Sequence, residues 1–165
     1  MSYRSHIVAD ASFLIAFDKC DAFKHLKKYA EQKNLQIHTT ERIKSELQTV
    51  DEDNIDFLEV EKVHLTNYKY DKSKLSKSDA SVLKIAEEND WIIAEDERYL
   101  YMAAKEKDLE ITRSASMLMK LLSEGIINKK EYGQIAECFI KDLNLEKEIE
   151  EEIKNYPEKI EKQEV

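Results

Sequence analysis

The sequence predicts an α/β protein, a parallel sheet flanked by helices, and three observations carry that reading. Short apolar runs of strand length alternate with longer amphipathic runs of helix length. The signals that close tight hairpins are missing, because residues 1–124 contain no glycine and the one proline is Pro157. Strand–helix alternation without hairpins is the pattern of parallel strands joined through helical crossovers. At 165 residues, finally, the chain fits one domain with a core of its own.

Taken in order, His6-Ile7-Val8-Ala9 reads as a buried strand, and a short helix starts near Ser12. Residues 21–33 form a helix with Ala22, Leu26, Tyr29 and Ala30 on one side. Leu35 to His38 is the second strand, after which Thr39 or Thr40 caps a helix running to about Thr49. A short helix over 51–58 and a weaker strand over 60–65 follow, then a polar, Lys-rich loop over 66–77. A helix over 78–88, the strand Trp91-Ile92-Ile93-Ala94, a helix over 97–107 and a strand over 109–112 complete the alternation. Three helices near 114–124, 128–142 and 145–156 close the chain. In the first of them Met117-Leu118-Met119 reads as core. Tyr132, Ile135, Ala136, Phe139 and Ile140 stripe the second, and Leu145, Ile149, Ile153 and Tyr156 the third. After Pro157 the chain is expected to fray. The organisation expected is a domain over 1–144 and a charged C-terminal helix with a frayed tail over 145–165.

Composition removes several functions. With no glycine before Gly125 there is no Walker loop and no G-x-G-x-x-G, so phosphate has to be held by side chains, helix N-termini or metal ions. A net charge of -9 is not that of an obvious nucleic-acid binder, although residues 145–165 hold 8 acids against 4 bases and leave the body only mildly acidic. Cys20 and Cys138 stand far apart in no C-x-x-C, the histidines form no H-x-x-x-H, and a zinc site is not expected. Two such cysteines suit a reducing cytosol. No apolar run reaches membrane-spanning length and no signal-peptide core follows the N-terminus, so a soluble, cytoplasmic protein is expected.

With 35 acids in the chain, position has to select among them. Asp10 follows the first strand and Asp96 the Ile92-Ile93 run. In a parallel sheet both strand ends lie at one edge, where ligands bind. Glu46 falls within the stripe Ile43, Leu47, Val50, and Asp79 within Val82, Leu83, Ala86. A charge turned toward a core is costly unless paired or bound to metal. Each acid also has a bland reading. Asp79 suits the first turn of a helix and Asp10 suits a cap. Four convergent carboxylates would repel one another and hold protons more tightly, and hard cations such as Mg²⁺ or Mn²⁺ relieve that repulsion. A receiver-like phosphorelay site fits poorly, because apolar Val8 and Ala9 precede Asp10.

These residues resemble the PIN domain, a family of metal-dependent nucleases. Ile7-Val8-Ala9-Asp10-Ala11-Ser12 is similar to its strand ending in D-x-S. Thr39 to Leu47, with Glu46 before Leu47, resembles its second motif, and Ser78-Asp79-Ala80 with Ile85-Ala86 its third. Ile92-Ile93-Ala94-Glu95-Asp96 resembles its fourth, followed by a helix with Ala103-Ala104. The resemblance runs from about residue 6 to residue 125, and the tail beyond 145 lies outside it. Two positions depart: Ala94 stands where Thr is frequent, and Lys107-Asp108 stand where a glycine enters the final strand.

The resemblance implies a three-layer α/β/α fold with a central parallel sheet of four to five strands plus C-terminal helices. It implies an endoribonuclease in which Asp10, Glu46, Asp79 and Asp96 hold one or two Mg²⁺ or Mn²⁺ ions. Ser12 would orient Asp10, and Ser114 or Thr112 would supply a hydroxyl nearby. Glu97 adjoins Asp96 but heads into the next helix, which leaves it a minor part. Lys74, Lys77 and Arg98 are candidate contacts to RNA phosphates, together with Lys69 and Lys72, and Tyr68 and Tyr70 are available for stacking. A toxin-like RNase held by an antitoxin and an RNA-processing enzyme both fit, a homodimer is an open partner, and the competing class is a non-catalytic PIN-like module that binds protein or RNA.

Overall fold

A computed structural model of the chain describes residues 5–163. Its strands are β1 (Ser5–Ala9), β2 (Leu35–Thr40), β3 (Glu59–Glu61), β4 (Ile92–Ala94) and β5 (Ile111–Thr112). Its helices are α1 (Ala11–Lys19), α2 (Phe23–Gln32), α3 (Glu41–Glu46), α4 (Glu52–Ile55), α5 (Lys77–Asn89), α6 (Arg98–Glu106), α7 (Ser114–Ser123), α8 (Lys129–Asp142) and α9 (Lys147–Gln163). The strands form one parallel sheet in the order β3-β2-β1-β4-β5, with Ile7 beside both Ile37 and Ile92. From β1 the chain steps outward through β2 to β3, then returns to the far side of β1 for β4 and β5. This reversal between β1 and β4 opens a crevice at their C-terminal ends, the place where such sheets bind ligands.

Helices cover both faces, giving three α/β/α layers. On one face the Thr40 hydroxyl meets that of Ser81 on α5 at 2.8 Å. On the other, Ile7, Leu35 and Ile92 adjoin Tyr29 of α2 and Met117 of α7. Phe13, Leu14, Phe17, Leu26, Ile93 and Phe139 are fully buried, and so are Met117 and Leu118, as the sequence leads one to expect. A histidine ladder crosses the α5 face. His6 Nδ1 and His38 Nε2 are 2.8 Å apart, His38 Nδ1 is 2.8 Å from Glu61 Oε1, and Trp91 stacks on His38 at 3.9 Å.

The near-absence of glycine is met by Asp and Asn. Asp21, Asn34, Asn67, Asp90 and Asp108 take left-handed φ values, which these residues tolerate better than other side chains do. Asp108, with φ 56, ends α6 as Gly125, with φ 72, ends α7. Leu109 N–H donates to Ala104 O at 3.0 Å and Asp108 N–H to Lys105 O at 3.1 Å; the corresponding pair after α7 runs from Ile126 to Leu121 and from Gly125 to Leu122. Asp108 thus does the work of the glycine missing from the closing loop.

Three local expectations are corrected. The helix expected to reach Thr49 ends at Glu46, because Leu47 and Val50 turn into the core. The third strand is Glu59–Glu61 rather than 60–65, since its partner β2 stops at Thr40, where α3 is capped. The C-terminal helix does not fray at Pro157 but continues to Gln163, residues 164–165 lying outside the described residues. Pro157 has no N–H for the carbonyl of Ile153 one turn earlier, and the Tyr132 hydroxyl takes that place at 2.7 Å. Ile153 itself is fully buried.

The cysteines are also corrected. Cys20 and Cys138 form a disulfide across 118 residues, their Cα atoms 5.7 Å apart. It joins the end of α1 to α8 beside the edge-on packing of Phe17 on Phe139. The cysteine argument for a reducing compartment therefore falls away. Among the described residues no helix is long and apolar enough to cross a membrane.

Candidate metal centre

The crevice between β1 and β4 is lined with carboxylates. Asp10 occupies the N-cap position of α1, yet its side chain makes no capping bond there. It is 3% exposed, and its Oδ2 accepts from Ser12 Oγ at 3.2 Å. Asp79 completes a capping box on α5: its N–H donates to Ser76 Oγ at 3.0 Å, and Ser76 N–H donates to its Oδ2 at 3.1 Å. The capping reading of Asp79 thus holds alongside its place at the edge. Glu97 is the N-cap of α6, with an extended backbone that turns its side chain back toward the crevice. Carboxylate oxygens of Asp10, Asp79 and Glu97 lie within 4.8 Å of one another.

Electrostatics follow from this crowding. Burial raises the Asp10 pKa to about 7, and the charges of Asp79 and then Glu97 add to the rise. Glu97 is raised as well, by burial and by Asp79, with which it shares a hydrogen bond that only a protonated carboxyl can make. Among the described residues no lysine or arginine pairs with any of the three.

The other expected ligands stand apart from this trio. Glu46, the exposed last residue of α3, accepts from Ser78 Oγ at 2.8 Å and adds to the repulsion on Glu97. Asp96 turns toward the start of α7, where it accepts from Ser114 N–H at 3.0 Å and from Ser114 Oγ. Ser12 still connects it to Asp10, because the Asp96 N–H donates to Ser12 Oγ at 3.2 Å. Of the two hydroxyls considered for this neighbourhood, it is that of Ser114 that engages Asp96. Lys77 opens α5, Lys74 lies 6.0 Å from the centre of the Tyr99 ring, and Arg98 lines a cavity of about 930 Å³ with Ser12 and Asp96.

Two acids matter more here than the sequence suggests. Glu97 sits after a strand that ends at Ala94, so one N-cap turn is enough to return it to the edge; its place as the last residue before a helix was the available signal. Glu95 is fully buried with neither oxygen hydrogen-bonded among the described residues. Burial and then Asp96 raise its pKa to about 8, against the pull of Arg113. Nothing in the apolar run before it separates Glu95 from the acids that follow it.

A parallel sheet whose strand order reverses beside a cluster of carboxylates defines the chain as an α/β protein with an acidic edge. The chain belongs to the PIN domain family: the family model DUF3368, described as a PIN domain, matches residues 6–156. That match takes in α8 and much of α9, beyond the stretch that carried the motif resemblance. Among solved structures the chain is similar to a PilT N-terminus domain protein, SSO1118, from the hyperthermophilic archaeon Sulfolobus solfataricus P2. The two share 19% identity at a TM-score of 0.56, over 71% of this chain and 93% of that one, which is a likeness of fold. No curated protein matches the chain.

Proposed function

We propose that the protein is a divalent-metal-dependent endoribonuclease that hydrolyses RNA phosphodiester bonds. The observation that carries this reading is the convergence of Asp10, Asp79 and Glu97 without a protein cation among the described residues. All donors are carboxylate oxygens, which suits Mg²⁺ or Mn²⁺. When bound, such an ion supplies charge neutralisation at a phosphoryl oxygen and a water of lowered pKa.

The residues divide the remaining work. Asp10, Asp79 and Glu97 would hold the ion, with Glu46 beside Glu97. Ser12 orients Asp10 through its hydroxyl and at the same time fixes the Asp96 backbone, so one residue sets the spacing of both strand ends. Ser114, the first residue of α7, holds the Asp96 carboxylate beside the adjoining cavity.

The test is cleavage of labelled RNA in Mg²⁺ or Mn²⁺ by wild type, Asp10→Asn and Glu97→Gln. Both variants are expected to lose activity by on the order of 10³-fold, the equivalent of about 4 kcal/mol. Cleavage untouched by Asp10→Asn would refute the site. No cleavage by wild type, with RNA or protein still bound tightly, would favour the non-catalytic module.

A further inference from the structure

In a chain of 35 acids and 26 bases, one cleft is cationic throughout. It has a volume of about 520 Å³ and lies between α3 and the segment 64–77. Arg42, Lys69, Lys72 and Lys77 line it with the rings of Tyr68 and Tyr70, and no Asp or Glu is among the described residues of its wall. Some lysines elsewhere are paired, Lys33 with Glu124, Lys84 with Glu88 and Lys107 with Glu87. Among the described residues none of the cleft's four cations is in an ion pair. Four like charges around one cleft give it a positive potential, which a polyanion would complement.

The segment that presents these lysines is fastened down. Tyr68 Oη donates to Glu87 at 2.8 Å, Lys84 Nζ donates to the His64 carbonyl, and Leu75 is buried. Asn67 takes a left-handed φ of 63 that closes the turn from Leu65 to Tyr68. Tyr68 and Tyr70 stack with ring centres 6.1 Å apart, and Lys72 stands 5.9 Å from the centre of Tyr70. The cleft runs into the carboxylate edge: Lys77 opens α5 two residues before Asp79, and Arg42 lies on α3, whose last residue Glu46 is bonded to Ser78.

We propose that this cleft holds the sugar–phosphate backbone of single-stranded RNA on one side of the scissile bond, Arg42, Lys69, Lys72 and Lys77 neutralising its phosphates. The inference rests on the nuclease reading, because continuity with the carboxylate edge selects RNA over an acidic peptide. Single strands are favoured because tyrosine rings beside a cationic groove accept unpaired bases of any identity.

The experiment measures binding apart from cleavage. The full chain is titrated in EDTA against a fluorescent single-stranded RNA of about 12 nucleotides, at several salt concentrations. The triple variant Arg42→Gln, Lys69→Gln, Lys72→Gln, all at exposed positions, should bind about tenfold more weakly. The slope of log affinity on log salt should fall in magnitude by about 2, at roughly 0.7 per lost contact to a single strand. The charge-conserving variant Arg42→Lys, Lys69→Arg, Lys72→Arg should keep most of the affinity. Unchanged affinity and slope in the triple Gln variant overturn the proposal. Polyglutamate that displaces RNA at equal charge also overturns it and assigns the cleft to an acidic protein segment. Cleavage in Mn²⁺ separates the two readings. A triple variant that cleaves with unchanged KM removes the cleft and leaves the nuclease. Cleft-dependent RNA binding with no cleavage in any divalent ion removes the nuclease and leaves the cleft.

Discussion

The histidine ladder and the carboxylate edge are built on the same sheet, yet they treat buried ionisable groups in opposite ways. In the ladder Glu61, His38 and His6 hydrogen-bond in sequence, and Trp91 covers them. Burial lowers the His38 pKa, and the bond to Glu61 only partly offsets that. At the edge Asp10, Asp79 and Glu97 meet with no cation, and Asp10 is raised to about 7. A satisfied polar network stabilises the fold that contains it, whereas an uncompensated one stores unfavourable energy that a bound ion can release. That difference is why the proposed function is placed at the edge and not at the ladder.

The largest effect expected at the edge is a double one. Besides abolishing cleavage, Asp10→Asn should make the metal-free protein more stable than wild type at pH 8, by about 1–3 kcal/mol in denaturant melts. A destabilised Asp10→Asn protein would break the comparison, because the carboxylate would then be structural.

The two regions should also respond to pH with opposite signs. Asp10 has a raised pKa, so its folded form prefers the proton; stability from this group is present at acid pH and is lost as pH rises from about 4 to about 7. The span is worth roughly 4 kcal/mol before solvent relaxation. His38 has a lowered pKa, so its contribution is present above the ordinary histidine pKa and is lost as pH falls below it. Melts of the metal-free protein across pH 4–8, repeated with Mg²⁺ or Mn²⁺, check this. The ion should remove the loss at high pH and leave the acid limb alone.

A smaller effect sharpens the ladder's side of the contrast. His38→Ala should cost about 2–3 kcal/mol of stability, since it empties a stacked, buried position and leaves Glu61 without its partner, with RNA cleavage by the folded fraction unchanged. Smallest is the satisfied bond at the far end of the molecule. Tyr132→Phe should cost about 1–2 kcal/mol because it strands the Ile153 carbonyl, and in a Pro157→Ala background the cost should shrink, since alanine restores the missing N–H. Equal costs in both backgrounds would show that the hydroxyl does not stand in for the helix bond.

Much of this architecture was legible in the residues. Ile7-Val8-Ala9 and Ile92-Ile93-Ala94 announce buried parallel strands because runs covered on both faces are apolar throughout. Asp10 and Asp79 announce themselves because a carboxylate at a strand end or inside an apolar stripe breaks the local pattern. Glu97 does not, since an N-cap position reveals neither where the preceding strand stops nor which way its last turn aims. Glu46 lies in a real stripe, but α3 ends at it and leaves it exposed, near enough to add to the repulsion on Glu97.

Patterning and turn chemistry are local properties, and those the chain carries in its letters: five strands, their alternation with helices, and Asp or Asn at the left-handed turns where glycine is scarce. Folding decided what depends on distance between remote segments. The reversal of strand order at β1 and β4 brings Asp10 to Glu97, the packing of α1 on α8 brings Cys20 to Cys138, and Tyr132 completes the helix that Pro157 would otherwise end. Each is a meeting of residues tens of positions apart, and no period or spacing along a chain encodes such a meeting until the core closes around it.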